Sequence, residues 1–347
     1  MAASRYRAGI IGLGFIGGAD QVSGDALGQK VENLDGTHLD ALTGHPRIEL
    51  VAGSSRDEGR RERFARRTGA AAYARWEEML AKERLDIVSV ATYAPFHAEI
   101  TCACAAHGAR VVYCEKPIAT RLSDAERMVR ACDDAGALLV VNHQRRFHSN
   151  YRRLQELIAS GGLGDLTSVN LQWGNGRLGN VGTHMIDALC MLTGRRVEAV
   201  SATLDLSGKP DCRGAEFCDP GGWGVMRMAG GLMATMDAAD FATVPARIVI
   251  NGRQGRAVTG GHDVALEYWD GRKEHWPAPD RKPSSMDRAA AEMVAWLDKG
   301  GPFPYPAREN VPVLEAVVAC HVSHGRGAAW TDLPLAGEDR DVTVRSG

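Results

Sequence analysis

The stretch "AGIIGLGFIGG" (residues 8–18) limits the fold more than any other part of the chain. A short apolar run leads directly into Gly12, Gly14 and Gly17, spaced G-x-G-x-x-G. In a strand-turn-helix unit each glycine has its own task. The first permits the tight turn, the second lets backbone approach a pyrophosphate, and the third allows a helix to pack close. Glycine-rich turns are common, so the motif carries weight only from its place after a first strand and within a β-α-β series. Gly12, Gly14, Phe15, Ile16 and Gly17 are therefore candidate cofactor-binding residues.

That series follows. "IELVAGSS", "LDIVSVAT", "RVVYCEKP" and "LLVVNHQ" read as strands, and "THLDALTGH", "RDEGRRERFARRTG", "WEEMLAKE", "HAEITCACAAHG" and "SDAERMVRACDDAG" as helices between them. Ser123 followed by Glu126 predicts a capping box at the last of these. Repeated β-α-β units predict a parallel sheet covered on both faces. After about residue 148 the pattern changes. One helix, "YRRLQELIAS", precedes longer strand-like stretches, among them "GVMRMAGGLMATMDAA" and "RIVINGRQGRAVTG", broken by glycine turns that suggest antiparallel hairpins. Helices around 285–299 and 309–324 are expected to cover one face of that second sheet. The reading is an α/β chain with a dinucleotide-type domain over 1–147 and an α+β domain over 148–347.

A chain of 347 residues, 44% of them hydrophobic, has enough apolar material for two cores. Its net charge of −2 and interspersed charges give no basic surface for nucleic acid, and no apolar run approaches a membrane span. The start reads as strand and turn rather than a signal peptide. The eight cysteines are scattered, mostly in apolar contexts, without a C-x-x-C, as in reduced cytoplasmic proteins. His321 and His324 in "CHVSH" stand one helical turn apart, yet the nearby Cys320 would face elsewhere, so a structural role is preferred to a metal site. No metal is expected.

The acid often found about 20 residues after the glycine turn is missing. Residues 18–36 read as an insertion, taken as a surface loop with a cover over the cofactor as the alternative. At the end of the second strand stand Ser54, Ser55 and Arg56. Serine and arginine suit a ribose 2′-phosphate, whereas a carboxylate suits the free diol. This leans towards NADP, while the adjacent Asp57 keeps NAD open. Thr92, ending the third of these strands, and Glu115 with Lys116, ending the next, complete the cofactor-binding candidates. Glu115 has a surface role as its alternative.

"GLGFIG", "EKPIAT" (115–120) and "GNVGTHMID" (179–187) together resemble the glucose-fructose oxidoreductase / inositol dehydrogenase / MocA (Gfo/Idh/MocA) family. "VSVATYAPFHAEI" and "VVNHQRRFH" look similar to its intervening segments, and "TDLPL" does so weakly. The resemblance implies a Rossmann domain followed by a domain with an open, largely antiparallel sheet. It also implies oxidation or reduction of one secondary carbinol of a sugar or cyclitol with NAD or NADP, and assembly as a homodimer or homotetramer through the sheet face. Lys116 and His184 take the positions of the family's substrate-contacting lysine and histidine. Asn180 replaces the aspartate common four residues before that histidine. It can exchange hydrogen bonds but cannot act as a base. Asp187 suits an orienting role.

Hydride removal from a carbinol requires the carbon to lie against nicotinamide, the hydroxyl proton to leave and the forming carbonyl oxygen to be stabilised. Lys116 is the candidate for the last, His184, with an unperturbed pKa of about 6.5, for the proton, and Asn180 for holding a neighbouring hydroxyl. Arg145 and Arg146 read as a salt-bridged strand end, with contact to substrate or cofactor as the alternative. Trp173, Trp223, Trp269 and Trp276 read as core or interface, with a sugar-stacking platform as the alternative for one of them. Two alternatives to a dehydrogenase remain: glycoside cleavage through transient hydroxyl oxidation and elimination, and a non-catalytic nucleotide- or sugar-sensing protein.

Overall fold

The computed structural model describes residues 5–22, 31, 34–174, 176–206, 217–239 and 244–346, which divide into two units. The first is drawn from residues 1–119, 124–144 and 281–308, the second from 120–123, 145–280 and 309–347.

In the first unit, strands β1 (Tyr6–Ile11), β2 (Ile48–Ser54), β3 (Ala71–Tyr73), β4 (Ile87–Val90), β5 (Val111–Cys114) and β6 (Leu138–Val141) form one sheet in the order β3-β2-β1-β4-β5-β6. Every pairing is parallel. Between the strands run α1 (Phe15–Gly18), α2 (His38–Gly44), α3 (Glu58–Thr68), α4 (Trp76–Lys82), α5 (His97–Ala106) and α6 (Leu122–Asp134). All four residues of β4 and of β5 are buried, which requires cover on both faces of the sheet. The chain winds outward in both directions from β1 and β4, so the carboxyl ends of those neighbours make the switch point where ligands of such sheets bind.

Local chemistry accounts for most boundaries and corrects one. α3 starts where the Asp57 carboxylate accepts the Arg60 N–H and stops at Gly69, whose φ of 71° suits glycine. α6 begins at Leu122, so Ser123 lies inside the first turn and is not the N-cap expected from the sequence. A capping box occurs instead at Ser284 and Asp287. Of the 18–36 insertion, residues 23–30, 32 and 33 lie outside the described residues, and with them the question of loop or cover. Its two ends are pinned. Arg63 grips Asp20 with two 2.8 Å hydrogen bonds, and Asp35 accepts the Ser285 N–H at 3.1 Å.

The second unit begins with α7 (Ser149–Ala159), β7 (Leu166–Gln172), α8 (Thr183–Thr193) and β8 (Val197–Leu204). Then come β9 (Gly222–Met228), β10 (Met233–Ala238), β11 (Arg247–Gly252), β12 (Gly255–Thr259), β13 (Val264–Tyr268) and β14 (Lys273–Trp276). α9 (Ser285–Lys299) returns to the first unit, where it packs on α2, and does not cover the second sheet as the sequence suggested. α10 (Asn310–Gly325) and β15 (Thr331–Asp332) complete the second unit, with α10 packed on β8 and α8.

Its sheet has nine strands in the order β14-β13-β12-β11-β7-β10-β9-β8-β15. Only the β7–β10 pairing is parallel. "GVMRMAGGLMATMDAA" is a hairpin of β9 and β10, turned by Gly230 and Gly231 at φ of 75° and 77°. Side chains alternate across this sheet: Val169 and Leu171 are buried while Asn170 between them is exposed. Trp173 and Trp276 are core, whereas Trp223 (40%) and Trp269 (52%) face solvent. His324 Nδ1 accepts the Leu204 N–H, and burial with the neighbouring His324 lowers the His321 pKa to about 4. No helix among the described residues is long and apolar enough to cross a membrane.

Candidate active site

The first unit carries the glycine turn at its switch point. Gly12 adopts φ of 99°, and a Cβ there would lie 2.3 Å from the Ala91 carbonyl oxygen. A Cβ on Gly17 would lie 2.0 Å from the Gly12 oxygen and 2.8 Å from the Ala91 Cβ. Both glycines are thus required by the close approach of the turn to the end of β4. Gly14 precedes α1 and offers no side chain to the first-turn N–H groups of Phe15, Ile16 and Gly17. That donor set suits a pyrophosphate.

The Gly12 N–H donates to Ser54 O at 2.9 Å, which brings the turn to the end of β2. Ser54 is buried, Ser55 half-buried and Arg56 exposed. Arg61 donates to the carbonyls of Ser55 and Arg56 at 2.8 Å each, fixing the strand exit, and the Arg56 guanidinium lies 5.9 Å from the Phe96 ring centre. Asp57, the acid that kept a free ribose diol in play, is engaged as the α3 cap at 2.7 Å. Thr92 is half-buried beside the turn, and its Oγ1 has no partner among the described residues.

Glu115 and Lys116 follow β5. Glu115 is buried, which overturns its surface reading. Its Oε1 accepts from Asn142 Nδ2 at 2.6 Å and lies 2.9 Å from His38 Nε2, and its Oε2 accepts the Lys116 N–H at 3.3 Å. Tyr113 OH donates to Asn142 Oδ1 at 2.7 Å, which orients that amide, and Ser89 Oγ lies 2.6 Å from His38 Nδ1. An ionised Glu115 can only accept, so His38 donates to it through Nε2–H. Burial alone would raise the Glu115 carboxyl, but the hydrogen bond and charge interaction with His38, the neighbouring Lys116 and the Asn142 amide hold it at about 2. On the other side of Lys116, His97 Nδ1 lies 2.9 Å from Pro117 O and Nε2 lies 3.0 Å from Thr92 O. Burial lowers the His97 pKa against the pull of these carbonyls. The half-buried Lys116 is therefore held by its own backbone and by its neighbour's. His38, Ser89, His97 and Asn142 escaped sequence reasoning; polar residues closing buried runs were the available signal.

Asn180 and His184 belong to the second unit. A π-helical turn, Leu178–Gly182, runs straight into α8 and puts the two four positions apart along one helix, both half-buried. Asp187, one turn further, is fully buried against Arg146. Arg146 Nε approaches its two oxygens at 2.9 and 3.1 Å, and Nη2 reaches Oδ1 at 2.7 Å. A fourth contact joins Arg146 Nη1 to Glu309 at 2.7 Å. These partners keep the Arg146 pKa above its ordinary value despite burial. Asp187 thus fixes the helix bearing His184.

Residues 6–143 match the oxidoreductase family with an NAD-binding Rossmann fold (GFO/IDH/MocA), and residues 151–258 match the GFO/IDH/MocA C-terminal domain. The chain is 35% identical over 117 residues to inositol 2-dehydrogenase 3 of Saccharopolyspora erythraea, covering 33% of this chain and 34% of that protein. It is 28% identical over 158 residues to myo-inositol 2-dehydrogenase of Thermotoga maritima, covering 46% of this chain and 42% of that protein. The chain thus spans well under two thirds of either relative. The fold matches that of the WlbA dehydrogenase from Bordetella pertussis, solved with NADH and UDP-GlcNAcA, with a TM-score of 0.78 and 22% identity, over 97% of this chain and 100% of that one. With its nucleotide half and its C-terminal half both matched, the chain belongs to the GFO/IDH/MocA oxidoreductase family.

Proposed function

We propose that this protein is an NAD(P)-dependent oxidoreductase that transfers a hydride between nicotinamide and a secondary hydroxyl of a sugar, glycoside or cyclitol. One observation carries the reading: Lys116 stands at the carboxyl edge of the parallel sheet with its backbone fixed by Glu115 and its neighbour Pro117 by His97. An ammonium secured there is ready to stabilise charge on a forming carbonyl oxygen, with no reorganisation during reaction. The names of the relatives, both inositol dehydrogenases, support a cyclitol or sugar as substrate.

Gly12, Gly14, Phe15, Ile16 and Gly17 would hold the pyrophosphate, and Thr92, Glu115 and Lys116 border the same edge. Ser54, Ser55 and Arg56 would take the adenosine ribose, and use of Asp57 as a helix cap supports NADP over NAD. The bound nicotinamide supplies the hydride acceptor or donor. Lys116 polarises the substrate oxygen, His184 takes or returns its proton, and Asn180 holds an adjacent hydroxyl. Nucleotide binding is assigned to residues 1–147, and substrate binding and assembly to 148–347. A homodimer or homotetramer is supported by the outward sheet residues Trp223 and Met233. Buried thiols such as Cys104, Cys114 and Cys320 suit a reducing cytoplasm.

The test is a panel of sugars, aminosugars, glycosides and inositols, assayed with NAD and NADP separately. Stoichiometric NAD(P)H formation with at least one of them is expected. Tight nucleotide binding with no reduction across the panel would overturn the reading.

A further inference from the structure

The start of the helix that carries Asn180 and His184 is built by a carboxylate from a distant segment. Gly179 N–H donates to Asp219 Oδ1 at 2.6 Å, and Asn180 N–H donates to Asp219 Oδ2 at 2.8 Å. The preceding Leu178 N–H donates to Pro220 O at 2.9 Å. Three successive N–H groups of the π-helical turn are thus satisfied by residues 219 and 220. Asp219 is 8% exposed.

The cap is itself clamped. Cys218 N–H donates to Arg345 O at 3.0 Å, and Val344 N–H donates to Thr120 O at 2.9 Å. A Cβ on Gly179 would lie 2.7 Å from Val344 Cγ1, 2.8 Å from Ser346 Cβ and 3.1 Å from Asp219 Oδ1. Arg177, at φ of 62°, lends its carbonyl oxygen to the N–H groups of Asn180, Val181 and Gly182 together. Segments 218–220 and 344–346 therefore form a cradle in which the turn has little freedom to shift.

We propose that Asp219 is a positioning residue of the active site, acting through the Gly179–Asn180 turn to set where Asn180 and His184 stand. The inference rests on the reading that these two side chains work on the substrate. A carboxylate is the side chain suited to this place. It presents two acceptors to two N–H groups, makes charge-assisted bonds and lies at the positive end of the helix. An asparagine would turn an NH2 group against one of those donors.

The experiment compares wild type with Asp219→Asn, His184→Ala and the double variant. Each is scored for kcat per nucleotide-titrated site, KM, nucleotide Kd and urea midpoint. Asp219→Asn is expected to lower kcat about 10-fold or more and to leave nucleotide Kd unchanged, and to cost little further in the His184→Ala background, because the two losses share one cause. Should Asp219→Asn fail to fold, Asp219→Ser, which keeps one acceptor, is measured the same way. An unchanged kcat per site with a lowered urea midpoint would reduce Asp219 to a structural cap, and full additivity with His184→Ala would equally overturn the inference. Full turnover by His184→Ala alone would instead overturn the functional reading on which it rests.

Discussion

His38 Nε2 and Glu115 Oε1 meet at 2.9 Å although 77 positions separate them. The pair ties the first turn of α2 to the end of β5, next to Lys116. Glu115 is thereby spent on fixing the strand end. Its depressed pKa sets a pH dependence. The carboxyl titrates at about 2 when folded and near its ordinary value of 4.5 when unfolded. The unfolded chain therefore binds the proton first, so the stabilisation is complete above about pH 4.5 and is lost as pH falls towards 2. The upper figure is on the order of 3 kcal/mol. Glu115→Gln should lower the urea midpoint at pH 7 and flatten this acid limb. An acid limb equal to wild type would remove the assignment.

How much of this could be read beforehand depended on the range of the interactions. The glycine turn was legible because its residues are close in sequence and only glycine fits there, although the atoms that exclude a side chain at Gly12 belong to the distant Ala91 and Thr92. The β-α-β half was legible for a similar reason, since burial writes short apolar runs into the strands. The Asn142–Glu115 and Asp219–Asn180 contacts span 27 and 39 positions, and no periodicity encodes such pairings. The amphipathic pattern of α9 announced a helix but not which unit it joins. At α6, Ser123 and Glu126 matched a cap pattern that the helix start at Leu122 left unused.

Lys116→Met keeps much of the side-chain length and removes the charge. If the ammonium stabilises the forming carbonyl oxygen, kcat should fall by ~10²–10³-fold, as on loss of one preorganised electrostatic donor. Nucleotide affinity should stay within about threefold of wild type, because the loss is confined to the transition state. Stopped-flow single turnover and an NAD(P)H fluorescence titration separate the two quantities. Equal losses in both would make Lys116 a nucleotide contact.

Arg56 is exposed at the exit of β2, where Asp57 is already occupied as a helix cap. Arg56→Ala should weaken NADP binding by ~10–100-fold, the worth of hydrogen bonds to a charged group, and leave NAD little changed. Calorimetric titration with each nucleotide measures the difference. Parallel changes, or none, would show that the 2′-phosphate is not read by this residue.

The Arg146–Asp187 pair makes the strongest stability prediction. Arg146 is 3% exposed and Asp187 is at 0%, whereas the second partner Glu309 is half exposed. Asp187→Ala takes from a buried guanidinium its buried carboxylate and leaves the solvent-screened Glu309, and breaking such a pair costs ~3–5 kcal/mol. The double variant Arg146→Met/Asp187→Leu removes both charges and should recover much of that loss, because the penalty comes from the stranded cation rather than from missing attraction. Urea unfolding of the three proteins distinguishes the cases. A single variant within about 0.5 kcal/mol of wild type, the range of ordinary surface changes, would mean that Glu309 and water suffice for Arg146. In that event Asp187 would no longer account for the placement of the helix that carries His184.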